Sequence, residues 1–359
     1  MLKLYDLIFI CISLLYLVNS VGTVFTNIND ETLESEEHDK FQKSYNNSVF
    51  EGISQKLKRD IRIFCVILTS PKFKFSKCIP QKMTWLKRCN GYVFASSRND
   101  PTLPSIKSFP KDKYKFSYGK VKNALRWVYK HRKNEYDYVL KADDDAYLVM
   151  ENLRAFLINE NPDDHSYFGF AFRNPPKYHV MGFIQGGSGY VLSRKSFNTL
   201  VEKGLSNKKY CSQKKGLSNK KYCSQRNDVP DDVEIGRCLF RMGVNTTFLV
   251  DDRNRNSFYP EPITRILAKD KRIMNYYKEK SFIQPERGME ILADFPIAFH
   301  RINSDLMYFL EYLFYNAEVI GKKSRLFRME DNDEDDENEK IKKRMELIKT
   351  FSQYNYKKL

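Results

Sequence analysis

Three consecutive aspartates close an apolar run in this chain, and their charge has to be balanced beside buried surface. Residues 136–147 read Tyr-Asp-Tyr-Val-Leu-Lys-Ala-Asp-Asp-Asp-Ala-Tyr. Tyr138, Val139 and Leu140 have the character of a buried strand, which delivers Asp143, Asp144 and Asp145 to one place. Like charges this close, beside apolar surface, need a cationic partner, and a hard divalent metal with oxygen ligands is the simplest. In an open α/β sheet, ligands bind just past the carboxyl ends of strands, where this cluster falls. Extended backbone would turn Asp143 and Asp145 one way and Asp144 the other. One or two carboxylates would then hold a metal and the remainder contact a substrate. For an Asp triplet taken alone, a solvated acidic turn is the alternative.

The chain has 359 residues and a net charge of +16. Its Lys and Arg are scattered, without a basic helix, zinc-finger spacing or aromatic RNA-binding signature, so nucleic acid is not the expected partner. A basic surface equally suits an anionic small substrate such as a nucleotide diphosphate. Residues 7–25 carry no charge, which is close to the minimum for a membrane span. A cleaved signal peptide is the rival, because Val18-Asn19-Ser20 resembles a cleavage site. Either way the body of the protein enters the secretory lumen. The sequons at Asn46 and Asn245 agree with that address, as do the cysteines outside the apolar segment, which lack zinc spacing and suit disulfides. The expected organisation is a cytoplasmic stub and signal-anchor (1–25), a polar stem (26–59), a lumenal domain (60–326) and a charged, disordered tail (327–359).

Strands and helices alternate through 60–326. The β-branched run 61–68 reads as the first core strand, and 92–95 as the second. Residues 120–132 form an amphipathic helix with Val121, Leu125 and Val128 on one face. Residues 167–172 read as a strand, and Gly186, Gly187, Ser188 and Gly189 as a tight turn into Tyr190-Val191-Leu192. Ser193 caps the next helix. Residues 307–320 read as an apolar helix. The alternation predicts an α/β sandwich with a mainly parallel sheet. Residues 203–213 recur unchanged at 215–225, a local duplication in a surface loop rather than a solenoid repeat.

Metal-assisted group transfer needs a metal held by carboxylate and imidazole, a leaving group for it to neutralise, and a base for the attacking hydroxyl. The Asp cluster offers the metal site. His300, ending the short strand 297–300, would add a nitrogen ligand compatible with Mn²⁺, although a lone strand-end histidine is more often structural. Asp231 or Asp232 would be the base. Both sit in the first turn of a predicted helix, so a carboxylate facing the helix dipole is the competing explanation.

Three blocks taken together resemble glycosyltransferase family 31: Lys-Ala-Asp-Asp-Asp-Ala-Tyr at 141–147, Gly-Gly-Ser-Gly-Tyr-Val-Leu-Ser at 186–193, and Asp-Asp-Val-Glu-Ile-Gly-Arg-Cys at 231–238. Within that family the chain is similar to the core 1 β1,3-galactosyltransferases. Further stretches carry the closer likeness, namely Thr-Trp-Leu-Lys-Arg-Cys-Asn at 84–90, Tyr-Phe-Gly at 167–169, Ala-Phe-His-Arg-Ile-Asn-Ser at 298–304 and Leu-Glu-Tyr-Leu-Phe-Tyr at 310–315. The resemblance covers roughly 61–321. It implies a GT-A fold, a single-pass type II Golgi membrane protein, UDP-galactose as donor and Mn²⁺ as metal. It also implies transfer, with inversion, to GalNAc linked to Ser or Thr of glycoproteins, and homodimers. By position it assigns Asp143, Asp145 and His300 to the metal, and Thr69, Lys120, Asp143, Asp144, Gly186 and Gly187 to the donor. Asp232, with Asp231 beside it, takes the place of the base. Trp85 falls near the substrates or serves packing. The resemblance further implies the pairs Cys65–Cys89 and Cys223–Cys238, with Cys211 as the duplicated extra.

The chain departs from the family in three ways. It has Asp-Asp where Glu-Asp is usual, Cys78 has no assigned partner, and an adjacent Cys-Cys is missing from 284–294. The alternatives are a catalytically silent chaperone or binding paralogue, a family 31 transferase with a different acceptor sugar, and a basic binder of acidic glycans.

Overall fold

The β-branched run after residue 60 and the apolar run after Asp137 lie side by side as neighbouring strands, and their shared end fixes where the carboxylates emerge. The structure, a computed structural model, describes residues 48–173, 182–205, 223–224, 226–282, 288–317, 336–355 and 357–358. The chain divides into the units Met1–Glu51 and Gly52–Leu359. Of the first, only 48–51 are described, so the expected membrane anchor lies outside the described residues, as does most of the duplicated loop. No described helix is long and apolar enough to cross a membrane.

In order, the elements are α1 (Ser48–Asp60), β1 (Ile63–Leu68), α2 (Ile79–Met83), β2 (Gly91–Ser96), β3 (Ser105–Lys107), α3 (Ser117–His131), β4 (Tyr138–Asp143), β5 (Tyr147–Leu148), α4 (Met150–Leu157), β6 (Tyr167–Gly169), β7 (Ala171–Arg173), β8 (Gly182–Ile184), β9 (Tyr190–Ser193) and α5 (Arg194–Thr199). There follow α6 (Asp231–Arg241), β10 (Thr247–Val250), β11 (Phe258–Tyr259), α7 (Ile263–Leu267), α8 (Lys271–Lys280), β12 (Ala298–Phe299), α9 (Ser304–Tyr315), α10 (Glu337–Asn355) and β13 (Lys357–Lys358). The central sheet has the order β13-β10-β6-β9-β4-β1-β2-β3. Strands β4, β1, β2 and β3 are mutually parallel, β9 runs against both β4 and β6, and β13 runs against β10. This mixed α/β, mostly parallel sheet is consistent with the GT-A type that the resemblance implies.

The register aligns Leu68 with both Asp143 and Ala95, so the carboxyl ends of three parallel strands lie level. Helix α3 presents Val121, Leu125 and Val128 to a core shared with Phe64, Val66, Val139 and Leu192. Ser193 accepts a hydrogen bond from the Ser196 N–H, and this caps α5. The expected strand 167–172 is broken at Phe170 into β6 and β7, where β6 ends on Gly169 at φ +149°, a conformation that disfavours side chains. Disulfides join Cys65 to Cys89 and Cys223 to Cys238, while Cys78 is a buried free thiol.

Two expectations about the ends need correction. The polar stretch up to 59 finishes in α1, where Ile53 and Leu57 are buried and Ser54 donates to Glu151. The composition after 327 predicts disorder, yet 337–355 is the helix α10. Met345, Ile348 and Ser352 recur at helical spacing and are buried, and Ser352 donates to the Phe156 carbonyl. An apolar stripe this sparse is masked by the surrounding charge when composition alone is read.

Candidate metal and transfer site

Asp143 ends β4, and the next two aspartates turn away from the sheet, with the Ala146 N–H returning to the Asp143 carbonyl at 3.2 Å. The side chains split as the alternation suggests, although the segment is a turn rather than extended strand. Asp144 points back under β1, where Thr69 Oγ1 donates to it at 2.7 Å and Lys77 Nζ at 3.0 Å. Asp143 and Asp145 face His300 instead. The turn is braced from behind: Gln81 Nε2 donates to the Asp143 and Ala146 carbonyls, each at 2.9 Å, and the buried Trp85 donates its Nε1–H to the same Ala146 carbonyl at 2.9 Å. Trp85 thus positions the carboxylates through the backbone.

A small second sheet brings His300 to this turn. Strand β12 pairs with β5, just beyond the aspartates, and with β11 on its other side. The Ile302 N–H then donates to the Asp145 carbonyl at 2.9 Å. Arg301, next to His300, holds φ 58°, a left-handed conformation that costs energy outside glycine. His300 Nδ1 lies 2.8 Å from the Pro260 carbonyl, so it carries the proton, and Nε2 faces Asp145 at 3.1 Å and Asp143 at 4.0 Å. Burial opposes a charged imidazole, but the hydrogen bond to Asp145 and the charge of Asp143 outweigh it and raise its pKa. Burial likewise opposes ionisation of Asp145, and His300 with Lys77 reverses this, holding its carboxyl well below the usual range.

Ligand atoms of Asp143, Asp145 and His300 all lie within 4.8 Å of one another. Two carboxylates and an imidazole are a donor set for a divalent ion of the Mn²⁺ kind. The fit extends outward, since an Nδ1–H bonded to a carbonyl leaves Nε2 as the ligating nitrogen. The residues present therefore fit the metal that the resemblance implies.

The other acidic pair stands across a buried ammonium. Lys141 Nζ donates to Asp143 Oδ1 at 2.7 Å and to the Gly186 carbonyl at 3.0 Å, and it forms an ion pair with Asp231 Oδ2 at 3.0 Å. Burial opposes its charge, and Asp143 and Asp231 more than restore it. Asp232, at the start of α6, accepts from the Gly186 N–H at 3.1 Å and from its neighbour Val233 N–H at 2.8 Å. Burial, with the like charge of Asp231 beside it, pushes the Asp232 carboxyl up to about 6. Such a value suits a group that must take a proton near neutrality.

Gly186 and Gly187 are the seam between the two centres. A Cβ on Gly187 would lie 2.1 Å from His300 Cε1, and one on Gly186 would meet Asp232 Cβ and Lys141 Nζ, each at 3.1 Å. Their backbone is engaged on both sides, because the Asp143 N–H also donates to the Gly187 carbonyl at 3.3 Å. Close approach of His300 therefore requires a glycine at 187.

Two cavities flank the centres. One, of ≈ 570 Å³, opens past β1, β2 and β3 and is lined by Ser70, Lys72, Ser97, Arg98, Lys107 and Asp112 among others. Thr69 adjoins it, and Lys120 forms part of its support by donating to the Thr69 carbonyl and to Asp112, each at 2.7 Å. Lys120 is thus committed to protein partners. The second, of ≈ 420 Å³, is walled by Phe172, Phe183, Tyr276, Pro230, Val233 and Arg237 among others. Pro230 and Val233 bracket the acidic pair. A basic cavity on the metal side and an aromatic one on the Asp232 side would take an anionic nucleotide and an apolar-faced partner such as a sugar ring.

The structure thus brings together Asp143, Asp145 and His300, with Asp144, Thr69 and Lys120 behind them and the glycines leading to Asp231 and Asp232. Sequence reasoning gave no role to Lys77, Gln81 or Lys141, nor to the aromatic wall. Lys141 lies inside a quoted block, and a lysine two residues before the first aspartate of a buried strand was the available signal. Lys77 and Gln81 gave none. The stretches 84–90 and 310–315 prove structural in their contacts: Arg88 stacks 3.4 Å over the Tyr315 ring and pairs with Glu311, which also accepts from the Tyr147 hydroxyl.

The Fringe-like family model matches residues 57–250. The chain is 31% identical over 281 residues to Glycoprotein-N-acetylgalactosamine 3-beta-galactosyltransferase 1 of Xenopus laevis, covering 76% of this chain and 72% of that protein. It is 24% identical over 204 residues to Chondroitin sulfate synthase 3 of Mus musculus, where it spans 21% of that protein. It is 23% identical over 185 residues to Beta-1,3-glucosyltransferase of Mus musculus, spanning 34% of it.

Proposed function

The chain belongs to the Fringe-like family, glycosyltransferase family 31, and from that premise we propose that it is an inverting, metal-dependent β1,3-galactosyltransferase. It moves galactose from UDP-galactose to the 3-hydroxyl of GalNAc α-linked to Ser or Thr, making the core 1 disaccharide. The observation that carries the reading is the pairing of two acidic centres across one glycine turn, Asp143–Asp145–His300 on one side and Asp232 on the other. The similarity to a glycoprotein-N-acetylgalactosamine 3-beta-galactosyltransferase supports the choice of sugar and acceptor.

Asp143, Asp145 and His300 would hold the cation, whose charge supports the departing diphosphate. Lys72, Arg98 and Lys107 give the donor cavity the sign that an anionic nucleotide needs. Asp232 takes the proton from the acceptor hydroxyl as it attacks the sugar carbon, and the Gly186 N–H holds the accepting carboxylate in place. Inversion requires attack from the face opposite the leaving group, which suits a base and a metal site on separate elements. Aromatic walls beside Asp232 suit a sugar's apolar face. Residues 1–25 serve as a type II anchor in the Golgi membrane, the polar stretch before α1 as stem, and the GT-A domain is lumenal.

The test is galactose transfer from UDP-galactose to a GalNAc-α-threonine peptide, with Mn²⁺, with EDTA, and with Asp145→Ala. Metal-dependent β1,3-linked product that disappears in the variant supports the reading. Binding of UDP with Mn²⁺ but no transfer would point to another acceptor, and no UDP binding would point to a silent relative.

A further inference from the structure

Lys141 is the only ammonium among the described residues recorded in ion pairs with both acidic centres. It is almost wholly shielded from solvent, so its charge is screened by little besides its partners. Asp143 offers Oδ1 to Lys141 and turns Oδ2 toward His300. Asp231 faces the ammonium at 3.0 Å, a little farther than Asp143 at 2.7 Å, and its Oδ2 has no other partner. The ammonium is thus divided between a metal-site carboxylate and the neighbour of the base, the first the closer of the two. The Gly186 carbonyl accepts from Lys141 while the Gly186 N–H holds Asp232, so one peptide group touches both.

We propose that Lys141 couples the cation site to the base, a single ammonium shared between Asp143 and Asp231, so that loading the donor side arms the acceptor side. A cation drawing on Asp143 weakens that carboxylate's hold on Lys141. The ammonium's charge then answers Asp231 and Asp232 more fully and favours the carboxylate form of Asp232. Coupling is reciprocal, so ionised Asp232 in turn favours cation binding. The other groups around Asp232 are the phenols of Tyr114, Tyr167, Tyr190 and Tyr276. All are neutral in this range, which leaves Asp231 and Lys141 as the charges that set its behaviour.

This inference rests on the reading of Asp232 as base, and two variants of opposite sign test it. Lys141→Met removes the competing cation, and Asp231→Asn leaves Lys141 to Asp143 alone. Mn²⁺ affinity in the presence of UDP is measured by calorimetry, and the acid limb of kcat/KM by transfer assays across pH. Lys141→Met should bind Mn²⁺ about fivefold or more tighter and move the acid limb up by about half a pH unit or more. Asp231→Asn should bind it about fivefold or more weaker and move the limb down. A merely structural lysine predicts weaker binding in both variants and, in Lys141→Met, an unmoved limb, and that result overturns the coupling. If Lys141→Met does not fold, Lys141→Gln is read in its place, and unchanged or weaker Mn²⁺ affinity in it sinks the proposal. Wild-type protein that neither binds Mn²⁺ nor transfers galactose would overturn the functional reading itself, and the coupling with it.

Discussion

Replacing Gly187 by alanine puts a methyl group where the His300 imidazole stands. The new Cβ would lie 2.1 Å from Cε1, 2.3 Å from Nε2 and 2.7 Å from Nδ1. Ordinary contact between such atoms is about 3.5 Å or more, so the ring must retreat by more than about 1 Å. It has little freedom to do so, being buried and tied through Nδ1 to the Pro260 carbonyl. Metal–ligand distances tolerate about 0.2 Å, so the nitrogen ligand is lost or misplaced. Overpacking of this kind costs about 1–3 kcal/mol of stability, and misorienting a ligand costs about 10–100-fold in metal affinity. The assay is calorimetric titration of Mn²⁺ in the presence of UDP, with a thermal melt of the same protein. Gly186→Ala is the internal control. Its Cβ meets its neighbours at 3.1 Å, so a few tenths of an ångström of movement suffice and the metal affinity should suffer less. Wild-type Mn²⁺ affinity in Gly187→Ala would refute the placement of His300 as a ligand held against this turn.

Other outcomes follow from the same contacts. Asp232→Asn should lower kcat by about 10²–10⁴-fold while UDP and Mn²⁺ still bind, as expected of a base; retention of turnover would remove Asp232 from that role. The kcat/KM profile of the wild type should rise with pH through about 6, because burial and Asp231 raise the Asp232 carboxyl to that value. The sign for stability is opposite. The native state keeps a proton that the unfolded chain releases from about pH 4 upward, so this group costs stability progressively as pH rises from there to about 6. Urea unfolding at several pH values, compared with Asp232→Asn, isolates that contribution. Trp85→Phe leaves the Ala146 carbonyl with one donor fewer and should lose about 1–2 kcal/mol in denaturant unfolding, with weaker Mn²⁺ binding because the carboxylate turn loosens. Cys65→Ala should cost about 2–5 kcal/mol without moving the pH profile, since the Cys65–Cys89 bridge includes none of the groups that set the Asp232 carboxyl.

The metal half of the site was largely legible in the sequence because its carboxylates are contiguous. An apolar strand that runs into Asp143, Asp144 and Asp145 carries its own account of burial, charge and location. His300 was legible only through the ordered blocks of the resemblance. Locally it is one histidine after a short apolar stretch, and the pairing of β12 with β5 that brings it to Asp145 is a long-range event. Lys77 and Gln81 left no trace, because a polar residue in an irregular helical segment has the same local pattern whether it faces solvent or a carboxylate. The tail was misread for a related reason: composition averages over a helix, whereas burial of Met345 and Ile348 depends on one face.

By itself the sequence determined the alternation of strands and helices and the end of β4 as the place where charge accumulates. These follow from side-chain periodicity and from the chemistry of adjacent residues, both of which are local. Only the tertiary structure decided that Asp144 turns away to Thr69 and Lys77, and that Asp143 and Asp145 meet His300. It also decided that Lys141 stands between the metal carboxylates and Asp231. Those outcomes depend on sheet register and on close backbone approach at Gly186 and Gly187, which bring distant segments within a few ångströms and have no signature at the level of neighbouring residues.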